Sequence, residues 1–117
     1  MKTPISRFTV SGNSMFPTLR QGQDILSFNW AYLGRKPKVG DIVVVRVKSE
    51  KVVPAVTIRQ TGGGRGKVIR EIVKRVQKTH GRRVFVIGDN PKESTDSRDF
   101  GFINKDQIVG KVIYSSS

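Results

Sequence analysis

The chain has 117 residues, enough for one domain with a modest core, and no apolar run long enough to cross a bilayer as a helix. It has no cysteine, which excludes a disulfide framework, a thiolate metal site and a cysteine nucleophile. Lys and Arg number 22 against 9 Asp and Glu, a formal net charge of +13 that favours nucleic acid, anionic lipid headgroups or acidic partners. No recognition helix or basic–aromatic repeat gathers these cations, so most read as a solvated basic surface.

In chain order, residues 7–10 read as a short strand with Phe8 and Val10 on one face. A bend at residues 11–19 follows, then a turn at Gly22 and a strand at 24–28. Residues 29–33, with Trp30 and Tyr32, read as a short helical turn or a continuation of that strand, and residues 34–38 as a basic loop. Val39-Gly40-Asp41 turns into the β-branched run 42–47, of the kind a buried strand needs. Residues 49–51 make a polar corner. Residues 52–59 form a strand that Pro54 confines to an edge or a bulge, and the glycine-rich stretch 61–66 is a flexible hairpin loop. Residues 67–78 make a long strand, 81–83 a turn, 84–87 a strand, 88–101 a polar loop and 108–114 the last strand. Strands separated by glycine turns, without a convincing long helix, predict a mostly antiparallel β domain spanning residues 1–117, with no internal repeat or linker.

Within this frame Ser14 stands out, in Ser11-Gly12-Asn13-Ser14-Met15-Phe16-Pro17-Thr18-Leu19. Gly12-Asn13 can take positive φ, and Pro17 fixes its own φ and disfavours helix at Phe16. The hydroxyl of Ser14 is then carried on a stiff bend. It is either a nucleophile in waiting or a solvated serine on a strand-ending turn.

A serine hydroxyl attacks only when something takes its proton. His80, the single histidine, lies in Lys78-Thr79-His80-Gly81, which reads as an exposed hairpin tip. A lysine can serve instead if apolar surroundings disfavour its ammonium form. Alternation along Arg70-Glu71-Ile72-Val73-Lys74-Arg75-Val76 sets Lys74 on the side of Ile72 and Val76, so it is flanked by two β-branched apolar residues. The plainer alternative is a lysine whose stem covers apolar surface while its head reaches water.

Four motifs now fall in order: Ser14-Met15-Phe16-Pro17-Thr18-Leu19, Gly40-Asp41-Ile42-Val43-Val44, Val73-Lys74-Arg75-Val76, and Gly88-Asp89-Asn90 continuing to Ser94-Thr95-Asp96-Ser97-Arg98-Asp99-Phe100-Gly101. In this arrangement, from about Phe8 to Val112, the chain resembles the type I signal peptidases, Ser/Lys-dyad endopeptidases. The resemblance implies a single compact antiparallel β domain of the signal peptidase and SOS-repressor protease type. It implies Ser14 as nucleophile, Lys74 as general base, Ser94 as the hydroxyl that orients the amine, and Asp96 and Arg98 as a brace of the loop. Asp89 and Asn90 look like loop-shaping residues. The oxyanion region would be the Ser14 N–H with Gly12, which stands where some members carry a serine hydroxyl. Phe8, Val10, Leu19 and Val73 match apolar positions lining the substrate cleft, with ordinary core packing as the alternative.

The implied reaction is cleavage of leader or signal peptides from precursor proteins after small residues. The precursor is expected as an extended strand, with no cofactor and no metal. The short segment between Lys48 and Lys67 leaves no room for a large accessory β domain. With no transmembrane segment, the chain resembles signal peptidase catalytic domains and the soluble maturation proteases that trim nickel superoxide dismutase precursors. It is expected to be soluble and cytoplasmic as written, or membrane-associated if an anchor lies elsewhere. Peripheral contact with an anionic membrane is a further expectation, and no specific nucleic acid is expected. The rival from a different class is a catalytically silent basic module that docks on nucleic acid or anionic membrane.

Overall fold

The computed structural model describes residues 3–49 and 68–116. Among them, seven strands pair into one antiparallel sheet: β1 (Ile5–Thr9), β2 (Asp24–Phe28), β3 (Ile42–Ser49), β4 (Val68–His80), β5 (Arg83–Ile87), β6 (Ile103–Asn104) and β7 (Ile108–Ser115). Their order across the sheet is β1-β2-β7-β3-β4-β5-β6. Among the described residues, helix is confined to α1 (Ser97–Phe100) and the 3-10 turns Pro91–Glu93 and Lys105–Gln107. The mostly antiparallel β expectation is met.

β3 is the centre of the molecule because its β-branched run is buried on both faces. Val43 and Val45 enter one apolar cluster with Ile72, Val76, Val84, Val86, Ile103 and Ile108. Val44 enters the other with Phe8, Val10, Met15, Leu19, Ile25 and Val73. Val43, Val44 and Val45 have no exposed surface. Each such side chain contributes roughly 1.5–3 kcal/mol of burial free energy. β3 and β4 pair without interruption from Ile42↔Arg75 to Ser49↔Val68, which places Val43 directly opposite Lys74.

Several boundaries differ from the sequence reading. The first strand is Ile5–Thr9, two residues earlier than 7–10, because its limit is set by pairing from Ile5↔Phe28 to Thr9↔Asp24. Residues 29–33 form neither helix nor strand but a turn, with Ala31 N donating to Phe28 O and Leu33 N to Trp30 O. β3 continues through Ser49, where a polar corner is expected. The strand expected at 52–59 and the glycine loop at 61–66 lie outside the described residues. The 88–101 stretch contains one turn of 3-10 helix and one of α-helix. None of the helices among the described residues is long and apolar enough to cross a membrane.

Candidate active site

The Ser14 bend leaves the sheet at Val10, whose N–H donates to Gln23 O and whose carbonyl accepts from Gly22 N, both at 2.8 Å. Gly12 has φ +81°, the left-handed conformation that its lack of a Cβ makes inexpensive. The bend is then closed by Phe16 N to Asn13 O (3.1 Å) and Leu19 N to Met15 O (2.9 Å), and the Phe16–Pro17 peptide is cis. Met15 and Leu19 sink into the smaller apolar cluster, while Ser14 stays half-buried.

The bend is tied to the chain that follows β5. Asn90 N donates to Ser14 O at 2.9 Å, and Asn90 Nδ2 donates to Asn13 O at 3.1 Å. Gly88 lies beneath both partners. A Cβ there would meet Ser14 O at 2.6 Å and the Ser94 side chain as closely, so only glycine lets Ser14 and Ser94 converge over this point.

Lys74 is buried, 3% exposed, on the β4 face that alternation gives to Ile72 and Val76. Its Nζ donates to Ser94 Oγ at 2.9 Å, and Ser94 Oγ donates to Asp96 Oδ2 at 2.7 Å. With its proton committed to Asp96, Ser94 offers Lys74 a lone pair. The amine therefore gives an N–H and, when neutral, keeps its own lone pair for another group. Burial pulls the Lys74 amine down from 10.5 to about 8, against the opposing attraction of Asp96.

Asp96 anchors the loop. Its carboxylate has no exposed surface and accepts from Gly88 N, Ser94 Oγ, and the Arg98 N, Nε and NH2 groups. Burial alone would raise its pKa. Its bonds from Arg98, Gly88 and Ser94 outweigh burial and hold it well below the usual carboxylate range. Asp96 also caps α1, with Asp99 returning a bond to the Asp96 N–H. The loop replaces a strand along the outer edge of β5: beyond Val84, the edge N–H groups of Val86 and Gly88 donate to Ser97 Oγ and Asp96 Oδ2.

The structure thus brings Lys74, Ser94, Asp96 and Arg98 into one hydrogen-bonded chain, and ties the Ser14 carbonyl to Asn90 beside Gly88 of the same loop. Phe8, Val10, Leu19 and Val73 are buried at 5%, 6%, 2% and 5% exposure, in the apolar cluster that Met15 of the bend also enters. His80 is exposed at the end of β4, six residues from Lys74, or about 20 Å along an extended strand. Sequence reasoning did not find the ties made by Asp89. Asp89 takes a bidentate bond from Arg75 Nε and NH2, both 2.8 Å, and a bond from Thr18 Oγ1. The Gly88-Asp89-Asn90 motif pointed to the place, but partners 14 and 71 residues away leave no local signal.

The serine bend is thus tied through Asn90 and Gly88 to the same loop whose Ser94 accepts from the buried Lys74 amine. The family description "Signal peptidase, peptidase S26" matches residues 1–84 and 67–116, and the chain belongs to this family. It is 26% identical to a probable signal peptidase I-1 of Synechocystis sp., over 90% of this chain and 67% of that protein. It is 32% identical to subunit 1b of the mitochondrial ATP-independent inner membrane protease of Arabidopsis thaliana, over 88% of this chain and 64% of that protein. A 29-residue stretch is 62% identical to signal peptidase I of Bacillus caldolyticus, over 25% of this chain and 16% of that protein. The chain spans about two thirds of the length of the first two relatives.

Proposed function

We propose that this chain is a serine endopeptidase that removes leader or signal peptides from precursor proteins after small residues, with Ser14 as nucleophile and Lys74 as general base. The observation that carries this reading is the buried amine whose bond to Ser94 leaves its lone pair uncommitted. Neutral Lys74 takes the Ser14 proton as Oγ bonds to the scissile carbonyl carbon. The oxyanion is met by the Ser14 N–H and the Gly12 region. The intermediate collapses, and the leaving amine takes the proton from the Lys74 ammonium. Lys74 then deprotonates a water, which hydrolyses the acyl-enzyme ester and frees Ser14.

Ser94 orients the amine, and Asp96 with Arg98 holds Ser94. β1, which stands at one end of the sheet order and among the described residues pairs with β2 as its strand partner, is the strand beside which an extended precursor would lie. Phe8, Val10, Leu19 and Val73 supply the apolar ground beneath the bend. The test is cleavage of a leader-bearing precursor peptide by the wild-type chain, Ser14→Ala and Lys74→Ala. Both variants should lose nearly all activity, and full activity in Lys74→Ala ends the dyad reading. Replacing the small residue before the scissile bond by Phe should abolish cleavage.

A further inference from the structure

The Ser14 bend has two limbs, and the downstream limb is fixed by a contact outside the serine–lysine chemistry. Thr18 Oγ1 donates to Asp89 Oδ2 at 2.5 Å. The same carboxylate holds Arg75, the residue after Lys74, through two bonds of 2.8 Å. Arg75 NH1 donates in turn to Gly40 O at 2.9 Å, in the turn that leads into β3. Bonds from Arg75 and Thr18 hold Asp89 in its ionised form against the cost of its partial burial. One carboxylate therefore joins the nucleophile bend, the lysine strand and the entry to the central strand.

The geometry points to Thr18 as a positioning residue for Ser14, acting through Asp89 and Arg75. This inference rests on the reading of Ser14 as nucleophile. The upstream limb is already held at Asn13 and Ser14 by Asn90. Without the Thr18 hydroxyl, the limb from Met15 to Leu19 keeps its burial through Met15 and Leu19 but loses its polar link to β4. The serine then samples positions displaced from the amine. Displacements of about 1 Å at a reacting atom can cost on the order of 100-fold in rate. Thr18 is exposed, so loss of its hydroxyl leaves no buried polar group unsatisfied and the fold should persist.

The experiment compares Thr18→Val, which keeps the shape and removes the donor, with Thr18→Ser, which keeps the donor. Ser14→Ala is the control. Two quantities are read on the full chain: steady-state cleavage of a precursor peptide, and amide exchange of residues 14–19. Thr18→Val should lower kcat about 10-fold with KM within twofold, and speed exchange in the bend. The melting temperature and the pH midpoint of activity should stay unchanged, since the surroundings of Lys74 are untouched. Thr18→Ser should restore both kcat and exchange. The proposal is overturned if exchange in the bend is unchanged in Thr18→Val, if kcat holds although exchange rises, or if Thr18→Ser fails to rescue. Retained activity in Ser14→Ala would be a different failure: it removes the nucleophile reading itself, and the positioning role goes with it.

Discussion

Lys74 and Lys78 stand four residues apart on β4 in opposite surroundings. Lys74 lies in the regular part of the strand, opposite the fully buried Val43, with its amine covered by the loop after β5. Lys78 lies beyond the register shift between Val76 and Lys78, opposite Phe85, in the exposed half of the strand. Its Nζ sits 4.9 Å from the Phe85 ring centroid and 5.6 Å from that of Phe102, a surface cation–π arrangement. The ammonium of Lys78 keeps its water, and that of Lys74 does not. Residue type therefore does not decide which amine is desolvated; position relative to the bulge and to the covering loop does.

The sharpest way to break this comparison is to remove each amine. Lys74→Ala should cut kcat/KM at least 10³-fold, a magnitude typical of a lost general base. Peptidase assays of Lys74→Ala and Lys78→Ala in parallel give the answer, and equal losses would sink the distinction. Next in size is the loop that covers Lys74. Asp96→Ala leaves the buried Gly88 N–H and the Ser94 hydroxyl without their shared acceptor, each unsatisfied donor costing about 1–3 kcal/mol, while the part-exposed Arg98 returns to water. Chemical denaturation should show that loss along with lost activity. The folded pKa of Asp96 is depressed, so the stability it contributes is complete above its ordinary value of 3.8 and drains away as pH falls below that. Wild type should lose stability on acidification in this range, and Asp96→Ala should lose less.

Lys74 itself gives the opposite sign. Its folded pKa, about 8, lies below its ordinary 10.5, so its charged form is penalised by the fold. The penalty is full below pH 8, shrinks as pH rises from 8 to 10.5, and amounts to about 3 kcal/mol. Lys74→Met should therefore be inactive yet melt higher than wild type at pH 7. In the wild type, kcat/KM should rise with pH and level off above about 8. A flat profile from pH 6 to 10, or a Lys74→Met chain that melts lower, would count against a desolvated amine.

The sheet was legible in the sequence where chemistry is local. The β-branched run at 42–47 marked the central strand, and alternation from Ile72 to Val76 set Lys74 among apolar neighbours because β4 is regular there. Asp96 and Arg98 were legible as a pair because they lie two positions apart in one loop. What escaped was built by distant partners. The two-residue β6 exists through pairing with Arg83 and Val84, and α1 is held against β5 by Ser97 and Asp96 side chains. Thr18 meets Asp89 across 71 residues, and Gly88 is required by what sits above it, not by its own backbone. Period and composition carry no trace of such contacts.

The smallest expected effect sharpens the comparison from the exposed side. Lys78→Ala removes a surface cation lying over two rings, a contact worth about 0.5–1 kcal/mol at exposed sites. His80→Ala removes a side chain exposed at the end of the same strand. Neither reaches the loop that covers Lys74, so both variants should keep kcat/KM within about twofold and the same pH profile, with Lys78→Ala losing no more stability than the ring contact supplies. Thermal melting and peptide cleavage across pH measure both. A shifted pH midpoint in Lys78→Ala would mean that the two lysines share one electrostatic environment despite the bulge, and the separation between a dry and a wet half of β4 would have to be given up.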